Sequence, residues 1–531
     1  MPFLSVRLHE GIKTVEFPRG TSIREILDTT NIRVRSGCRG NGSCGLCRIR
    51  IEKGIVNSPT HNELIHLADG QLSAGVRLAC QTVPHGDVEI IVMNPSAPPQ
   101  WKTIPGGVRR NHLTPARTAI ALPEDVKNPY GIAVDLGTTH ISLSISELLT
   151  GKRIADRYGL NPQAVYGHDI MTRLTSAAAS DETAGRMSRL GISAIGDALT
   201  DMSKREGIDL KQAVYFCLVG NTAMLSLLTG KNYLLLLQPK RWMEYIDCLP
   251  VDRPQWQEAW GIHPEAVIDI IPPLAGFVGS DLLAGIASSP SGGTASPPFL
   301  FMDFGTNSEI ALWDGRSFRV TSAAGGPAFE SWGIGCGMPA EAGAVYRVDL
   351  KGESLEYDII DGMKAKGLCG TGFIDLVASL LKLGVVSETG KVRSAGARDG
   401  YTLTEGVRIT SHDIDALQRA KAAIGTAVDV LISLSGMTFA DISRISVAGV
   451  FGRFLNISSA QEIGLLPPID PLRVDLMGNT ALAGCEDIML STEAAERVRE
   501  IRERAEVINL SQYPLFGELF LKNLYLRPMG S

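Results

Sequence analysis

Short runs of alternating polar and apolar positions mark the first 93 residues. Phe3 to Leu8 and Lys13 to Phe17 alternate as half-buried strands do, with a hairpin predicted about Glu10-Gly11. Thr21 to Leu27 reads as a helix whose first amides Thr21 and Ser22 can satisfy. Further strands are predicted over Cys47 to Ile51 and Val88 to Val92, giving a small mixed sheet crossed by one helix. From about 94 to 128 the period is lost, and Pro95, Pro98, Pro99, Pro105, Pro115 and Pro123 punctuate a stretch that reads as a semi-rigid spacer. Two roles stay open for it, a mobile tether or a plain linker draped on the surface. Beyond 129 come short buried strands, Gly131 to Val134, Phe299 to Met302 and Ile445 to Ala448. Two helices rich in small residues, Gly276 to Ile286 and Gly478 to Gly484, permit close helix crossing.

The chain has 531 residues, too many for one core, and about three domains or lobes are expected. The expected boundaries are 1–93, a linker 94–128, and 129–531. The last part divides into lobes of about 129–290 and 299–510 and a C-terminal segment 511–531. The expected fold class is therefore multidomain: an α+β N-terminal domain, then a two-lobed α/β domain. Hydrophobic content of 44% and charged content of 20% suit a soluble globular enzyme. A net charge of −6 without a long basic run gives no sign of a nucleic-acid partner. No run of 18 apolar residues suggests a membrane span, and the N-terminus lacks the pattern of a secretory signal. Cys217, Cys248, Cys336, Cys369 and Cys485 are scattered without pairing logic, as buried reduced thiols are, so the expected compartment is the cytoplasm.

The other four cysteines change the picture. Cys38, Cys44 and Cys47 share one glycine-rich loop, with five residues between the first pair and two between the second, and Cys80 follows at a distance. Three thiolates on one loop plus a distant fourth is the ligand layout of a 2Fe–2S ferredoxin of ubiquitin-like architecture. Gly37, Gly40, Gly42 and Gly45 let the backbone wrap tightly and aim N–H groups at sulfur. A structural zinc site would normally show two Cys-x-x-Cys knuckles, and this segment has one. The expected chemistry is single-electron transfer. Arg35 and Arg39 beside the loop read as solvated surface.

A second chemistry sits downstream. The strand ending at Val134 runs into Asp135-Leu136-Gly137-Thr138-Thr139, and the strand ending at Met302 into Asp303-Phe304-Gly305-Thr306-Asn307-Ser308-Glu309. Gly brings backbone N–H groups close to phosphate, Thr donates to phosphate oxygens, and Asp holds Mg2+ through water. Two copies about 170 residues apart, each opening an α/β lobe, point to an ATP site. Gly137, Thr138, Thr139, Gly305, Thr306 and Asn307 are expected to face the phosphates. Asp135 and Asp303, with Glu309 assisting, are the candidates for Mg2+ and for orienting water. Gly449, Phe451 and Gly452 are expected to border the adenosine. Asp281 reads as a helix cap rather than a base, and His140 and His168 read as structural. The order of these elements is similar to that of the actin, hexokinase and heat-shock-chaperone ATPases, which does not by itself give function.

Together these parts resemble the reductive activators of corrinoid enzymes. The likeness extends to Asn161-Pro162-Gln163 with Tyr166-Gly167-His168-Asp169, Val219 to Met224, Ala324 to Glu330, Gly367 to Gly372, Ala420 to Ile424 and Ile463 to Pro467. It implies an ATP-dependent enzyme that passes one electron from its 2Fe–2S cluster to the cobalt(II) of a corrinoid protein, restoring cobalt(I) for methyl transfer. The implied partners are a corrinoid protein of a methyltransferase system and an external low-potential electron donor, with a homodimer possible. For a one-electron couple, ~59 mV of shortfall is a tenfold unfavourable ratio, which ATP can offset by differential binding. Some relatives carry an extra domain between linker and ATPase, and this chain is expected to lack it. Three alternatives stand beside this reading: a kinase on the same fold, an ATP-driven electron donor to another low-potential enzyme such as a radical dehydratase, and a nucleotide-gated sensor that only binds corrinoid protein.

Overall fold

The computed structural model describes residues 2–8, 11–28, 30, 32, 34, 42, 45–93, 101–104, 122–167, 169–244, 246–305, 307–325, 329, 334–362, 364–393, 400–449, 451 and 454–531. Glu10, Arg35, Cys38, Arg39, Cys44, His168, Thr306, Gly452 and most of the proline-rich stretch lie outside the described residues.

The N-terminal unit contains β1 (Phe3–Leu8), β2 (Gly11–Glu16), α1 (Ile23–Asp28), β3 (Arg48–Lys53), α2 (His61–His66), α3 (Asp69–Ser73), β4 (Val76–Leu78) and β5 (Val88–Val92). Its sheet runs β2-β1-β5-β3-β4, with β1 and β5 parallel and the other neighbours antiparallel. Leu4, Val6, Phe17, Ile23, Leu27, Ile49, Leu78 and Ile90 form its core. Of the two expected caps, Ser22 exchanges capping bonds with Glu25 at the start of α1, whereas the Thr21 hydroxyl donates to Pro18 O at 2.8 Å. Among its described residues the unit holds one buried ion pair. Arg77 clasps Glu63 through Nε and Nη2 at 2.9 and 2.8 Å, and the amides of Thr60 and Leu78 donate to the same carboxylate.

The rest of the chain is built on two large sheets with one pairing scheme. The first comprises β6 (Tyr130–Leu136), β7 (His140–Glu147), β8 (Arg153–Leu160), β9 (Ala213–Gly220) and β10 (Val267–Ile270), in the order β10-β9-β6-β7-β8. Helices α4 (Ile170–Ala178), α5 (Asp181–Glu206), α6 (Thr222–Thr229) and α7 (Arg253–Trp260) accompany it, and α8 (Ser280–Ser288) follows. The second begins with β11 (Phe299–Phe304), β12 (Ser308–Trp313) and β13 (Phe318–Ala323). An insertion follows, with β14 (Ala344–Lys351), β15 (Ser354–Ile359), β16 (Gly367–Leu368), α9 (Gly370–Lys382), β17 (Gly400–Thr404), β18 (Val407–Thr410) and α10 (Ser411–Ser435). The chain then supplies β19 (Arg444–Gly449), α11 (Ile457–Glu462), β20 (Val474–Gly478), α12 (Thr480–Leu490), α13 (Thr492–Glu503), β21 (Ala505–Val507) and α14 (Phe516–Asn523). This sheet runs β20-β19-β11-β12-β13-β21. In both sheets the central strand (β6 or β11) has an antiparallel hairpin partner on one side and a parallel strand on the other.

Helices α8 and α12 cross between the two sheets. Leu282, Leu283, Ile286, Leu482, Ile488 and Met489 bury their side chains against Tyr215 and Val219 of one sheet and Phe299 and Phe301 of the other. The small residues make the crossing possible: a Cβ on Gly484 would stand 2.0 Å from the Ala284 carbonyl oxygen, and one on Gly285 2.9 Å from Thr480 Oγ1. The first helix starts later than the sequence suggested, at Ser280 rather than Gly276, because Phe277 takes a left-handed φ of 64° that helix cannot continue through. Part of the linker is pinned. Lys102 exchanges both backbone bonds with Tyr158 on the edge of β8, Ile104 donates to Asp156 at 2.8 Å, and the Trp101 ring covers Gly159. At this point the surface-draped role holds.

Burial alone would raise Glu63, but the bonds from Arg77, Thr60 and Leu78 and the Arg77 charge hold it below its ordinary 4.5. A carboxyl lowered in the folded state contributes stability that is complete above its unfolded value and lost as pH falls through the folded one. Glu63→Gln is therefore expected to cost about 3 kcal/mol or more at neutral pH by stranding the Arg77 charge. It should also flatten the loss of stability below about pH 4.5, both read from urea unfolding of the N-terminal unit by far-UV circular dichroism.

Candidate functional site

The two hairpins that open the large sheets bring their acids to one place. Asp135 pairs across β6–β7 with Ser142, and Asp303 across β11–β12 with Glu309. Glycine makes each approach possible. A Cβ on Gly137 would come within 2.7 Å of the His140 carbonyl oxygen. Gly449, at the end of β19, has φ 90°, and a Cβ there would meet the Phe304 carbonyl oxygen at 2.1 Å and Asp303 Oδ1 at 2.4 Å. Asn161 holds the first turn from outside: its Nδ2 donates to Gly137 O at 2.9 Å and its backbone N–H to Thr139 O at 2.8 Å.

A fourth acid completes the group. Asp281 lies in the first turn of α8, and its Oδ1 accepts from Leu282 N at 2.9 Å. The capping expectation was incomplete, since Gly279 is the N-cap and the Asp281 charge also bears on Asp135, Asp303 and Glu309. Burial raises all four carboxyls. Asp135 rises to about 7 despite a bond from Asn479, and Asp281 to about 6. Asp303 rises to about 8 by burial and then by the charges of Asp281 and Asp135. Glu309 lies well above its usual range from burial, Asp281 and Asp303. Asp135 and Glu309 are 9% and 7% exposed, while Asp281 and Asp303 keep partial access to solvent. These acids have no basic partner among the described groups, and among the described residues no three acids stand at direct metal-ligating spacing, so the arrangement suits a hard divalent cation held through its waters. Thr138, Thr139, Gly305 and Asn307 lie at the two turns beside them.

Two other expectations change. Phe451 is 2% exposed and packs edge-on against Phe304 and Phe329, with centroids 5.1 and 5.3 Å away, so its ring supports the end of β19 from the core rather than facing a ligand. Sequence reasoning also missed Asn221 and Asn479. The first approaches Glu309 and the second bonds Asp135. The signal was available, because Gly-Asn-Thr-Ala occurs at both 220–223 and 478–481.

In the N-terminal unit Cys47 and Cys80 bring their Sγ atoms to 3.3 Å. Two thiolates on one tetrahedral ion, with bonds of ~2.3 Å, stand roughly 3.8 Å apart, so the pair fits a shared metal after a shift of a few tenths of an ångström. The loop around them is closely packed: a Cβ on Gly42 would meet Asn62 and Gln81 at 2.6 to 2.8 Å, and one on Gly45 would meet His66 at 2.9 Å. Gln81 Nε2 lies 3.7 Å from Cys80 Sγ, a side-chain donor aimed at sulfur.

A ferredoxin unit followed by an actin-like nucleotide fold defines the class of protein. Family models agree along the chain: "2Fe-2S iron-sulfur cluster binding domain" matches 8–85, "RACo middle region" 130–290 and "C-terminal domain of RACo the ASKHA domain" 298–531. The chain belongs to that family, the reductive activators of corrinoid enzymes. It is 29% identical over 433 residues to the corrinoid activation enzyme RamQ of Eubacterium limosum, covering 75% of this chain and 71% of that one. To the [Co(II) methylated amine-specific corrinoid protein] reductase of Methanosarcina barkeri it is 26% identical over 432 residues, covering 74% and 76%. A solved reductive activator for corrinoid, iron-sulfur protein shares the fold, with TM-score 0.64, 24% identity and 99% of each chain covered. The family's middle region, matched over residues 130–290, contains the first large sheet. Among the described residues no helix is long and apolar enough to cross a membrane.

A carboxyl raised by folding contributes stability that is complete below its unfolded value and lost as pH rises through the folded one. With the acid group raised to about 6 to 8, the cation-free protein is expected to melt at progressively lower temperature from pH 6 to 8.5. Asp303→Asn should raise the melting temperature at pH 8 and flatten the decline, as read by scanning calorimetry in a chelating buffer.

Proposed function

We propose that this chain is an ATP-driven reductive activator that returns the cobalt(II) of a corrinoid protein to cobalt(I) with one electron. The observation that carries the reading is the joint presence of a thiolate pair, Cys47 and Cys80, in a ferredoxin unit and four converging acids in an actin-like cleft of the same chain. In this reading the nucleotide domain runs from 129 to 531. Cys38, Cys44, Cys47 and Cys80 hold the 2Fe–2S cluster, which supplies one-electron chemistry when bound.

Each half of the cleft has its own task. Gly137, Thr138 and Thr139 on one side, and Gly305, Thr306 and Asn307 on the other, present N–H and hydroxyl donors to the phosphates. Asp135 and Asp303 hold Mg2+, directly or through its waters, and Glu309 accepts a proton from the attacking water. Gly449 and Gly452 leave room for the adenosine against backbone. Closure of the two halves on nucleotide changes which complex with the corrinoid protein is favoured, so the energy passes by differential binding. The partners are a corrinoid protein and an external low-potential donor, and the setting is the cytoplasm. A homodimer is compatible with this scheme.

The test mixes the reduced protein anaerobically with a cobalt(II) corrinoid protein and follows the visible spectrum with and without MgATP. The cobalt(I) band is expected only with MgATP, and Asp303→Asn should slow its appearance by ~100-fold or more. Cobalt(I) formed equally well without ATP would overturn the coupling. ATP turnover with no cobalt(I) from any corrinoid protein would favour an electron donor to another low-potential enzyme.

A further inference from the structure

We infer that Asn221 and Asn479 are a matched pair of positioning residues, each capping a helix on its own side of the cleft while its amide N–H group orients a carboxylate on the other. The inference rests on the nucleotide-cleft reading above and adds the groups that couple the acids to cleft geometry. Asn479 follows β20 of the second sheet and caps α12; its Oδ1 accepts from Leu482 N at 2.9 Å. Its Nδ2 crosses to the first sheet and donates to Asp135 Oδ2 at 2.9 Å and Ser142 Oγ at 3.3 Å. Asn221 follows β9 of the first sheet and caps α6, its Oδ1 accepting from Ala223 N at 3.0 Å. Its Nδ2 points to Glu309 Oε1 of the second sheet at 3.5 Å, the long limit of a hydrogen bond.

Three features separate this from ordinary capping. First, the cap fixes which end of each amide is oxygen, because only oxygen can accept the helix N–H; the donor end must then face the acid. Second, both amides reach paired residues at the base of a hairpin: Asn479 reaches both members of the Asp135–Ser142 pair, and Asn221 reaches Glu309 of the Asp303–Glu309 pair. Third, the two asparagines are not equivalent in the sheets. β9 lies beside the central β6, whereas β20 is an edge strand, so one Gly-Asn-Thr-Ala string serves two different places. A cap needs only the side-chain oxygen, and Ser or Asp would serve as well. Asparagine alone among the good caps also offers two N–H groups to an acid.

Hydrogen exchange of the full, nucleotide-free chain, read by mass spectrometry, tests the pair. Asn479→Ser keeps a capping oxygen and loses the donor. It is expected to leave α12 exchanging within about twofold of the parent while speeding the 136–140 turn of the opposite sheet ten- to a hundredfold, the range for a hydrogen bond to a charged group. Asn221→Ser should speed the 304–309 turn, severalfold given the longer contact, and spare α6. Asn479→Asp keeps the cap and sets a fifth carboxylate against Asp135; it should speed the 136–140 turn at least as much as Ser does, and raise the MgATP KM tenfold or more. Changes confined to the residue's own helix, or an opposite turn within twofold of the parent, would overturn the inference. A parent that fails to bind MgATP would sink the nucleotide reading instead, and the exchange result would still decide the asparagines.

Discussion

Mutual repulsion among Asp135, Asp281, Asp303 and Glu309 is the constraint to which the rest of this structure answers. Four carboxyls that share a cleft floor cannot all be charged without a cation, and burial sharpens the conflict. Each is raised by burial first, and Asp135, Asp303 and Glu309 are raised further by the charges of their neighbours. A chain left to itself would spread them apart. Here they are held by four different elements, β6, α8, β11 and β12, so separating them means separating the sheets. The conflict is therefore built into the fold, and a ligand that brings positive charge would relieve it.

What keeps the elements together is the crossing of α8 and α12. Gly484 and Gly285 bring the helices to backbone contact, and large apolar side chains on both sides seal them between the sheets. Polar anchors complete the joint. Glu486 of α12 accepts from Ser144 and Arg153 of the first sheet, both at 2.5 Å, so α12 is fastened to the half of the molecule that it does not belong to by sequence. A joint of two crossed helices resists shear along either axis and yields most easily to rotation about the crossing point. Rotation of that kind is the motion that would open or close the space between the two sheets at the helices' N-terminal ends.

Much of this was legible in the sequence, and the residues that were not have a common reason. The cysteine spacing, the two Asp-x-Gly-Thr turns and the small-residue helices are local patterns whose chemistry depends on near neighbours. Gly449 stands where only glycine suits the backbone, a local fact separate from the adenosine contact expected of it. Asp281 was read incompletely because a carboxylate in a first helical turn satisfies its local rule as a cap, while its charge acts on Asp135, Asp303 and Glu309, which are remote in sequence. Phe451 was misjudged for the converse reason. Its neighbours belong to a glycine motif, but its ring points to Phe304 and Phe329 in the core. The matching pairing of the two sheets was visible only through the hairpins; β21, which adds a parallel strand beside β13, carries too few residues to announce itself.

A route also runs from the cleft to the N-terminal unit. Asn161 supports Gly137 and Thr139, and four residues on, the Val165 carbonyl accepts from Arg24 of α1 at 3.1 Å. Magnitudes decide what such a route can do. A single hydrogen bond contributes about 1 kcal/mol net, whereas ~100 mV of one-electron driving force is about 2.3 kcal/mol. One contact at Arg24 therefore cannot carry a large redox shortfall. Moving a two-state equilibrium from 1:99 to 99:1 takes about 5.5 kcal/mol, which requires several contacts that form together. The cleft floor is the place where this chain has them. In the nucleotide reading proposed above, relief of four-way repulsion, the two cross-cleft asparagines and the turns at 137–139 and 305–307 would all change in one closure. Under the same proposal Arg24 would register closure rather than drive it, and the free energy for reduction would come from how the closed and open cleft differ in affinity for the partner.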